Sequence, residues 1–227
     1  MLSEKMAAIL SESKKSGWVL EPEAKRFFSL AGLDIPNFLW ARNEEEAVRF
    51  ADRVGYPVVA KVVSPRVIHK TEKKGVEVGI DHGEKLIEAF RRFRRIEGFE
   101  GVLVEETLSG IEIIIGAKVD DQFGPVVLLG MGGTGVEIYE DVVLRMAPLR
   151  QEDVGSMMRC LKAHKVLEGY RGSAPVNSKA LTRLLMTFSE LAMDLEEWIE
   201  SIDLNPVFCS PERCVIGDAR IMLKPGG

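Results

Sequence analysis

Residues 101–149 read GVLVEETLSGIEIIIGAKVDDQFGPVVLLGMGGTGVEIYEDVVLRMAPL. Runs rich in valine, isoleucine and leucine (GVLVEE, IEIIIGAKV, GPVVLLG, GVEIYE and VVLRMAPL) alternate there with short turns at Gly or Asp. Strands this short, joined by turns this tight, pair with their chain neighbours, so the stretch predicts a largely antiparallel sheet.

Upstream of it the pattern is helical. Ser3 reads as the cap of a helix over 3–16 that stops near Gly17, and LEPEAKRFFSLAGLDIP reads as a second, with Pro22 in its first turn and Gly32 at its exit. Asn43 and Gly55 bracket a third helix. VVAKVV (58–63) and GVEVGI (75–80) are strands on either side of one loop. EKLIEAFRRFRRI then predicts a helix that buries Leu86, Ile87, Phe90 and Phe93 and leaves Arg91, Arg92, Arg94 and Arg95 as a solvated basic face. Downstream, helical patterns cover 151–168 and 178–195, and the strand runs WIESIDLNPVF and RCVIGDARIML close the chain. The expected architecture is α+β in two lobes, with no internal repeat.

Composition bounds the function. A chain of 227 residues, 46% hydrophobic and 29% charged, buries a substantial core, and no apolar run approaches the roughly 20 residues that span a bilayer. The opening MLSEKMAAIL is amphipathic and lacks the layout of a signal peptide. A net charge of −5 disfavours a nucleic-acid partner, although Lys70, Lys73 and Lys74 form a local basic cluster beside His69. Three cysteines, Cys160, Cys209 and Cys214, suit neither a disulfide framework nor a tetrahedral zinc site, which fits a reducing, cytoplasmic compartment.

Several stretches could carry chemistry. GMGGTG (130–135) matches the spacing of a dinucleotide fingerprint, but VEIYE after it is a strand where that motif needs a helix to aim its amides at a pyrophosphate. It is left as a hairpin turn or as a glycine turn whose amides approach a ligand. The last hairpin says more. If CSPERC is its turn, centred between Pro211 and Glu212, then Asn205 faces Asp218 and Asp203 faces Arg220. Period-two alternation sends Ile202, Leu204, Ala219 and Ile221 to the core and the four polar residues to the other face. Asn205 and Asp218 offer hard oxygens that suit Mg²⁺, an ion that takes one or two protein ligands beside water and phosphate; a hydrogen-bonded Asx turn beside an Asp218–Arg220 network is the alternative. Lys61, inside VVAKVV, is either a solvated charge or an ammonium held against a polyphosphate. Glu105, Glu112 and His69 are each uninformative alone.

Taken in order along the chain, these residues resemble an ATP-grasp nucleotide-binding module, and the closest resemblance is to the β subunit of ADP-forming acyl-CoA synthetases, relatives of the succinyl-CoA synthetase β chain. The matching segments run from LEPEAKRFFSLAGLDIP through GYPVVAKVVSPRVIHKTEKKGV, the 101–149 stretch and SIDLNPV to GDARIML. The resemblance implies two lobes whose antiparallel sheets sandwich a nucleotide: 20–104 as the N-terminal lobe with the His69 loop, and 105–227 as the C-terminal lobe with the helix of 1–19 packed on it.

By matching position the resemblance implies that Lys61 binds the α/β-phosphates, Glu105 sits at the adenine-side hinge and Glu112 reaches the nucleotide ribose or its phosphate-side surroundings. Asn205 and Asp218 would hold Mg²⁺, and Arg145 would bind phosphate or form a structural ion pair. His69 would be a phosphohistidine on a mobile loop, its imidazole oriented by Asp203. A neutral imidazole is a competent nucleophile near pH 7, and a carboxylate at its second nitrogen sets the tautomer. The chain departs from the pattern after His69-Lys70, where only Gly75 stands in place of a double glycine, and in the Thr-Gly of GMGGTG. It shows no CoA-binding segment, so an α subunit is implied, in an α₂β₂ assembly using ATP/ADP and Mg²⁺. A standalone ATP-grasp carboxylate–amine ligase and a non-catalytic nucleotide sensor are the competing expectations.

Overall fold

In the computed structural model, the described residues are 2–68, 70, 72–133 and 141–225. In chain order they form α1 (Glu4–Ser13), β1 (Trp18–Val19), α2 (Glu21–Leu30), β2 (Phe38–Ala41), α3 (Glu44–Val54), β3 (Val58–Val63), β4 (Val76–Ile80), α4 (Gly83–Phe93), β5 (Gly101–Glu106), β6 (Ile111–Asp120), β7 (Gly124–Met131), β8 (Val142–Met146), α5 (Gln151–Cys160), α6 (His164–Leu167), α7 (Ser178–Asp194), β9 (Ile199–Cys209), β10 (Cys214–Ile216) and β11 (Arg220–Leu223). The expected strand GVEIYE lies outside the described residues, as does His69.

Local chemistry explains the helix starts. The Ser3 hydroxyl accepts the Met6 N–H, and the Asn43 side chain accepts the Glu46 N–H, each satisfying an amide that the first turn leaves without a carbonyl. Glu44, Glu45 and Glu46 add negative charge at the positive end of α3. One expected helix is two. Over 151–168 the chain leaves α5 at Leu161, because both oxygens of Asp141 take backbone amides, those of Lys162 and Ala163, at 2.7 and 2.8 Å.

The chain divides into two compact units, 36–108 and the combination of 1–35 with 109–227. The smaller unit is a four-stranded antiparallel sheet, β2-β5-β3-β4, with α3 and α4 on one face. Its core is Phe50, Leu86, Phe90 and Phe93 packed on Val58, Ala60, Val62, Val102 and Val104. Ile87, expected inside, is half-buried, and Ala89 takes the interior position. The larger unit is a seven-stranded antiparallel sheet, β1-β11-β9-β6-β7-β8, with β10 also paired to β9.

These boundaries differ from the lobes expected at 20–104 and 105–227. Helix α2 belongs to the larger unit: Ala24, Phe27 and Phe28 are fully buried in its core, and the Phe28 ring lies 6.5 Å from that of Phe188 on α7. Glu105 belongs to the smaller unit, because β5 is the central partner of both β2 and β3.

Candidate functional site

In the smaller unit, Lys61 pairs in register with Leu103 and Val59 with Glu105, so Lys61 and Glu105 are diagonal neighbours. Strand alternation puts Val58, Ala60 and Val62 under the helices and Lys61 on the opposite face, with Glu105. The Lys61 Nζ lies 2.8 Å from Glu105 Oε1, with the two side chains only 8% and 5% exposed. Beyond Glu105 the chain is tied down: Glu106 accepts both the backbone and the side-chain N–H of Asn37, and the Thr107 hydroxyl donates to the Pro57 carbonyl at 2.7 Å. Sequence pattern alone does not mark these anchors.

After Lys61 the chain turns back at Gly75. The Gly75 N–H donates to the Lys70 carbonyl at 2.7 Å and its own carbonyl accepts the Val62 N–H at 2.8 Å. A β-carbon at Gly75 would meet the Val62 side chain at 2.5 Å, so this glycine is required by close packing. Lys74 before it has φ 53°, a left-handed conformation that glycine adopts freely and lysine rarely.

In the larger unit, the closing hairpin has the expected register. The Ser210 N–H donates to the Arg213 carbonyl around the turn, Cys214 pairs with Cys209 and Ile216 with Val207, and past a break Arg220 pairs with Asp203. The register is the same on both sides of the break, and Asp218 lies inside it. Ile202, Leu204, Ala219 and Ile221 are buried as expected. At Asn205-Pro206 strand β9 advances three residues while β6 advances two, a bulge at the point where proline has no N–H to give the ladder. The freed Pro206 carbonyl instead accepts the N–H groups of Gly217 and Asp218.

Asn205 is exposed and Asp218 half-buried. Among the described residues no three His, Cys, Asp or Glu side chains cluster as a metal cage. The hairpin thus offers two hard oxygen donors, a set that fits an ion completing its shell with water and phosphate and does not fit a fully protein-bound one. Asp203 holds Arg220 through Oδ2 at 2.8 Å.

The sheet face carrying Asp203 also carries an apolar cleft of about 550 Å³, lined by Ile114, Val126, Leu128 and Leu144 with Lys118 and Asp203 at its polar margin. Glu112, half-buried on β6, accepts the Gly132 N–H through its carbonyl at 2.7 Å. A β-carbon on Gly132 would lie 2.8 Å from the Glu112 backbone, so the first part of GMGGTG is a glycine-dependent close approach to Glu112. The rest of that motif lies outside the described residues.

Arg145, for which the resemblance implies a phosphate contact or a structural ion pair, sits on the helix-covered side of β8. It pairs in register with the buried Val127, while its neighbour Leu144 pairs with the cleft residue Leu128. Alternation therefore turns Arg145 toward the helices, where it donates to the Leu144 carbonyl and reaches Ser156 on α5.

One buried group was not anticipated. Lys25 on α2 is fully buried, 3.3 Å from Glu21, and donates to the Gly217 carbonyl at 2.8 Å. Its signal was present in the sequence: Glu21, Ala24, Lys25 and Phe28 share one helical stripe, so a charge pair is embedded in the apolar face.

The described residues thus form two antiparallel sheets, one bearing a buried lysine–glutamate pair and the other a hairpin with oxygen donors beside an apolar cleft. A family model described as the ATP-grasp domain matches residues 10–223. The chain is 43% identical over 213 residues to the β subunit of acetate–CoA ligase (ADP-forming) I of Pyrococcus furiosus, covering 90% of this chain and 91% of that one. It superposes on a Candidatus Korarchaeum cryptofilum dinucleotide forming acetyl-coenzyme A synthetase 1, in complex with coenzyme A, Ca-AMPCP and HgCl+, with a TM-score of 0.89 and 40% identity, over 96% of this chain and 99% of that one. A second structure of that enzyme, with coenzyme A and Mg-AMPPCP and its phosphohistidine segment pointing towards the nucleotide binding site, matches with a TM-score of 0.84 and 38% identity over 96% of this chain and all of that one. The chain belongs to the ATP-grasp family, among the β subunits of ADP-forming acetate–CoA ligases.

Proposed function

We propose that this chain is the nucleotide-binding subunit of a cytoplasmic acyl-CoA synthetase that moves phosphate from His69 to ADP, in the overall reaction acyl-CoA + ADP + phosphate ⇌ acid + CoA + ATP. The observation that supports the reading is the closing hairpin, whose register sets Asp203 against Arg220 and carries Asn205 and Asp218 on its two arms, in a sheet that also holds an apolar cleft. An adenine ring suits that cleft, because its faces are apolar and its edge is polar. The Korarchaeum structure with Mg-AMPPCP supports a divalent ion and nucleotide together in a relative.

Each residue then has a task. Lys61 exchanges Glu105 for the α/β-phosphates, a charge-assisted contact stronger than a neutral one. Glu105 and Glu112 approach the base and ribose sides of the nucleotide. Asp203 orients the His69 imidazole, and Arg220, bound to Asp203, keeps that carboxylate in place. In the transfer, the nitrogen–phosphorus bond of phosphohistidine breaks as a terminal oxygen of ADP bonds to phosphorus, and the imidazole leaves neutral because its other ring nitrogen keeps the proton that it donates to Asp203. Asn205 and Asp218 would hold Mg²⁺, which would supply charge neutralisation for the transfer. Lys70, Lys73 and Lys74 flank the carrier and offset its added negative charge. The acyl-phosphate chemistry belongs to an α partner that binds CoA, in an α₂β₂ assembly.

The test is a labelling experiment on the chain combined with its α partner, using labelled phosphate and acetyl-CoA. Acid-labile label is expected on this chain in the wild type and absent from His69→Ala. Label confined to the partner in both proteins would exclude the relay.

A further inference from the structure

Lys25 and Glu21 form an ion pair in the core of the larger unit, with side chains 0% and 1% exposed. Burying two charges costs several kcal/mol per ion before their attraction is counted, and replacing such a pair with apolar residues of similar volume is often neutral or stabilising. Stability alone is therefore a weak reason for the pair to be there. Its position offers a better one. The Lys25 Nζ donates at 2.8 Å to the carbonyl of Gly217, the residue joined directly to Asp218 and 192 positions away in sequence.

The peptide at Gly217 is held from every side. Its N–H donates to the Pro206 carbonyl at 2.9 Å, and the preceding Ile216 N–H donates to the Asp34 carbonyl at 2.9 Å, just beyond α2. The Asp218 N–H shares the Pro206 carbonyl. A β-carbon at Gly217 would lie 2.7 Å from the Phe208 ring, so the backbone is packed against an aromatic face with no room for a side chain. This segment interrupts the regular ladder between β10 and β11, where its amides bond to the Pro206 carbonyl of β9. Lys25, itself charge-balanced by Glu21, adds a bond to the Gly217 carbonyl from the core side.

We infer that Lys25, charge-balanced by Glu21, is a positioning residue for the metal hairpin, clamping the peptide that aims Asp218 at the cation and thereby setting the affinity for metal-bound nucleotide. This rests on the reading of Asn205 and Asp218 as the Mg²⁺ ligands. Partners that orient a metal ligand from behind typically carry about 10- to 100-fold in metal affinity.

The test measures ADP affinity of the full chain by calorimetry, once in EDTA and once at saturating Mg²⁺, and takes the ratio as the metal coupling. The variants are Glu21→Leu/Lys25→Met, which removes both charges without orphaning either, and Asp218→Ala. In the first, the coupling is expected to fall about tenfold while ADP affinity in EDTA stays within about twofold and the melt remains cooperative, a split that simple loss of packing does not produce. Coupling lost in Asp218→Ala but intact in the core variant overturns the clamp and leaves the metal hairpin standing. Coupling intact in both overturns the metal hairpin, and the clamp with it. Should the apolar pair fail to melt cooperatively, Glu21→Gln/Lys25→Gln keeps hydrogen-bonding atoms in the core but withdraws the donor from Gly217. Undiminished coupling in that variant overturns the clamp as well.

Discussion

Lys61 and Glu105 meet at 2.8 Å on the inner strands β3 and β5 of the smaller sheet, both nearly fully buried and both on the face turned away from the helices. The ion pair has two separable consequences, one for the fold and one for the ligand. Lys61→Met removes the charge beside a buried carboxylate, and a loss of about 3 kcal/mol in denaturant-measured stability is expected, together with loss of ADP binding. Lys61→Met/Glu105→Leu is expected to recover most of the stability and none of the binding. Recovery of both would show that neither group touches the nucleotide.

Asn205→Ala/Asp218→Ala removes both oxygen donors of the hairpin. The expected result is nucleotide binding that no longer responds to Mg²⁺, equal in the presence and absence of EDTA. Because Asn205 is exposed and Asp218 half-buried, the melting temperature should change little. Undiminished Mg²⁺ dependence would remove the cation from this hairpin.

Asp203 is held by Arg220 at 2.8 Å. If it orients the His69 imidazole, Asp203→Asn should slow phosphorylation of this chain by about 10²-fold, the scale on which a misplaced proton-transfer partner acts, and leave ADP affinity unchanged. Rapid-quench labelling measures the first and calorimetry the second.

Gly132→Ala places a methyl group 2.8 Å from the carbonyl carbon and β-carbon of Glu112, where backbone cannot yield. A destabilisation of about 1–3 kcal/mol is expected, with weaker ADP binding through the displaced Glu112. Thermal melts and nucleotide titration of the same variant test both parts.

The cysteines differ in reactivity. Cys160 is exposed, whereas Cys209 and Cys214 are buried and face each other across the hairpin, and hydrogen bonding to Cys214 together with burial pushes the Cys209 thiol far above its usual range. Iodoacetamide at pH 8 should therefore modify Cys160 in the native protein and spare Cys209 until the chain is unfolded, as peptide mass analysis would show. The same shift sets a pH dependence: the unfolded chain releases the Cys209 proton above about pH 8.5 and the native state keeps it, so native stability is fully present below that pH and declines above it.

Much of this was legible in the amino-acid order because the deciding interactions are local. Caps at Ser3 and Asn43, the strand runs from 101 and the turn at CSPERC depend on residues a few positions apart, and turn position with period-two alternation is enough to give the Asp203–Arg220 register and the burial of Ile202, Leu204, Ala219 and Ile221. Alternation says that Arg145 and Leu144 point to opposite faces, but not which face the helices cover. The amphipathic stripe of α2 says that a face is buried, but not that it joins residues 109–227 in place of the neighbouring strands. Only the tertiary structure decided those points, the meeting of Lys61 with Glu105 across 44 residues, and the contact of Lys25 with Gly217 across 192. Periodicity and turn geometry are short-range properties of a chain; which two buried surfaces meet is set by long-range packing, which no local pattern encodes.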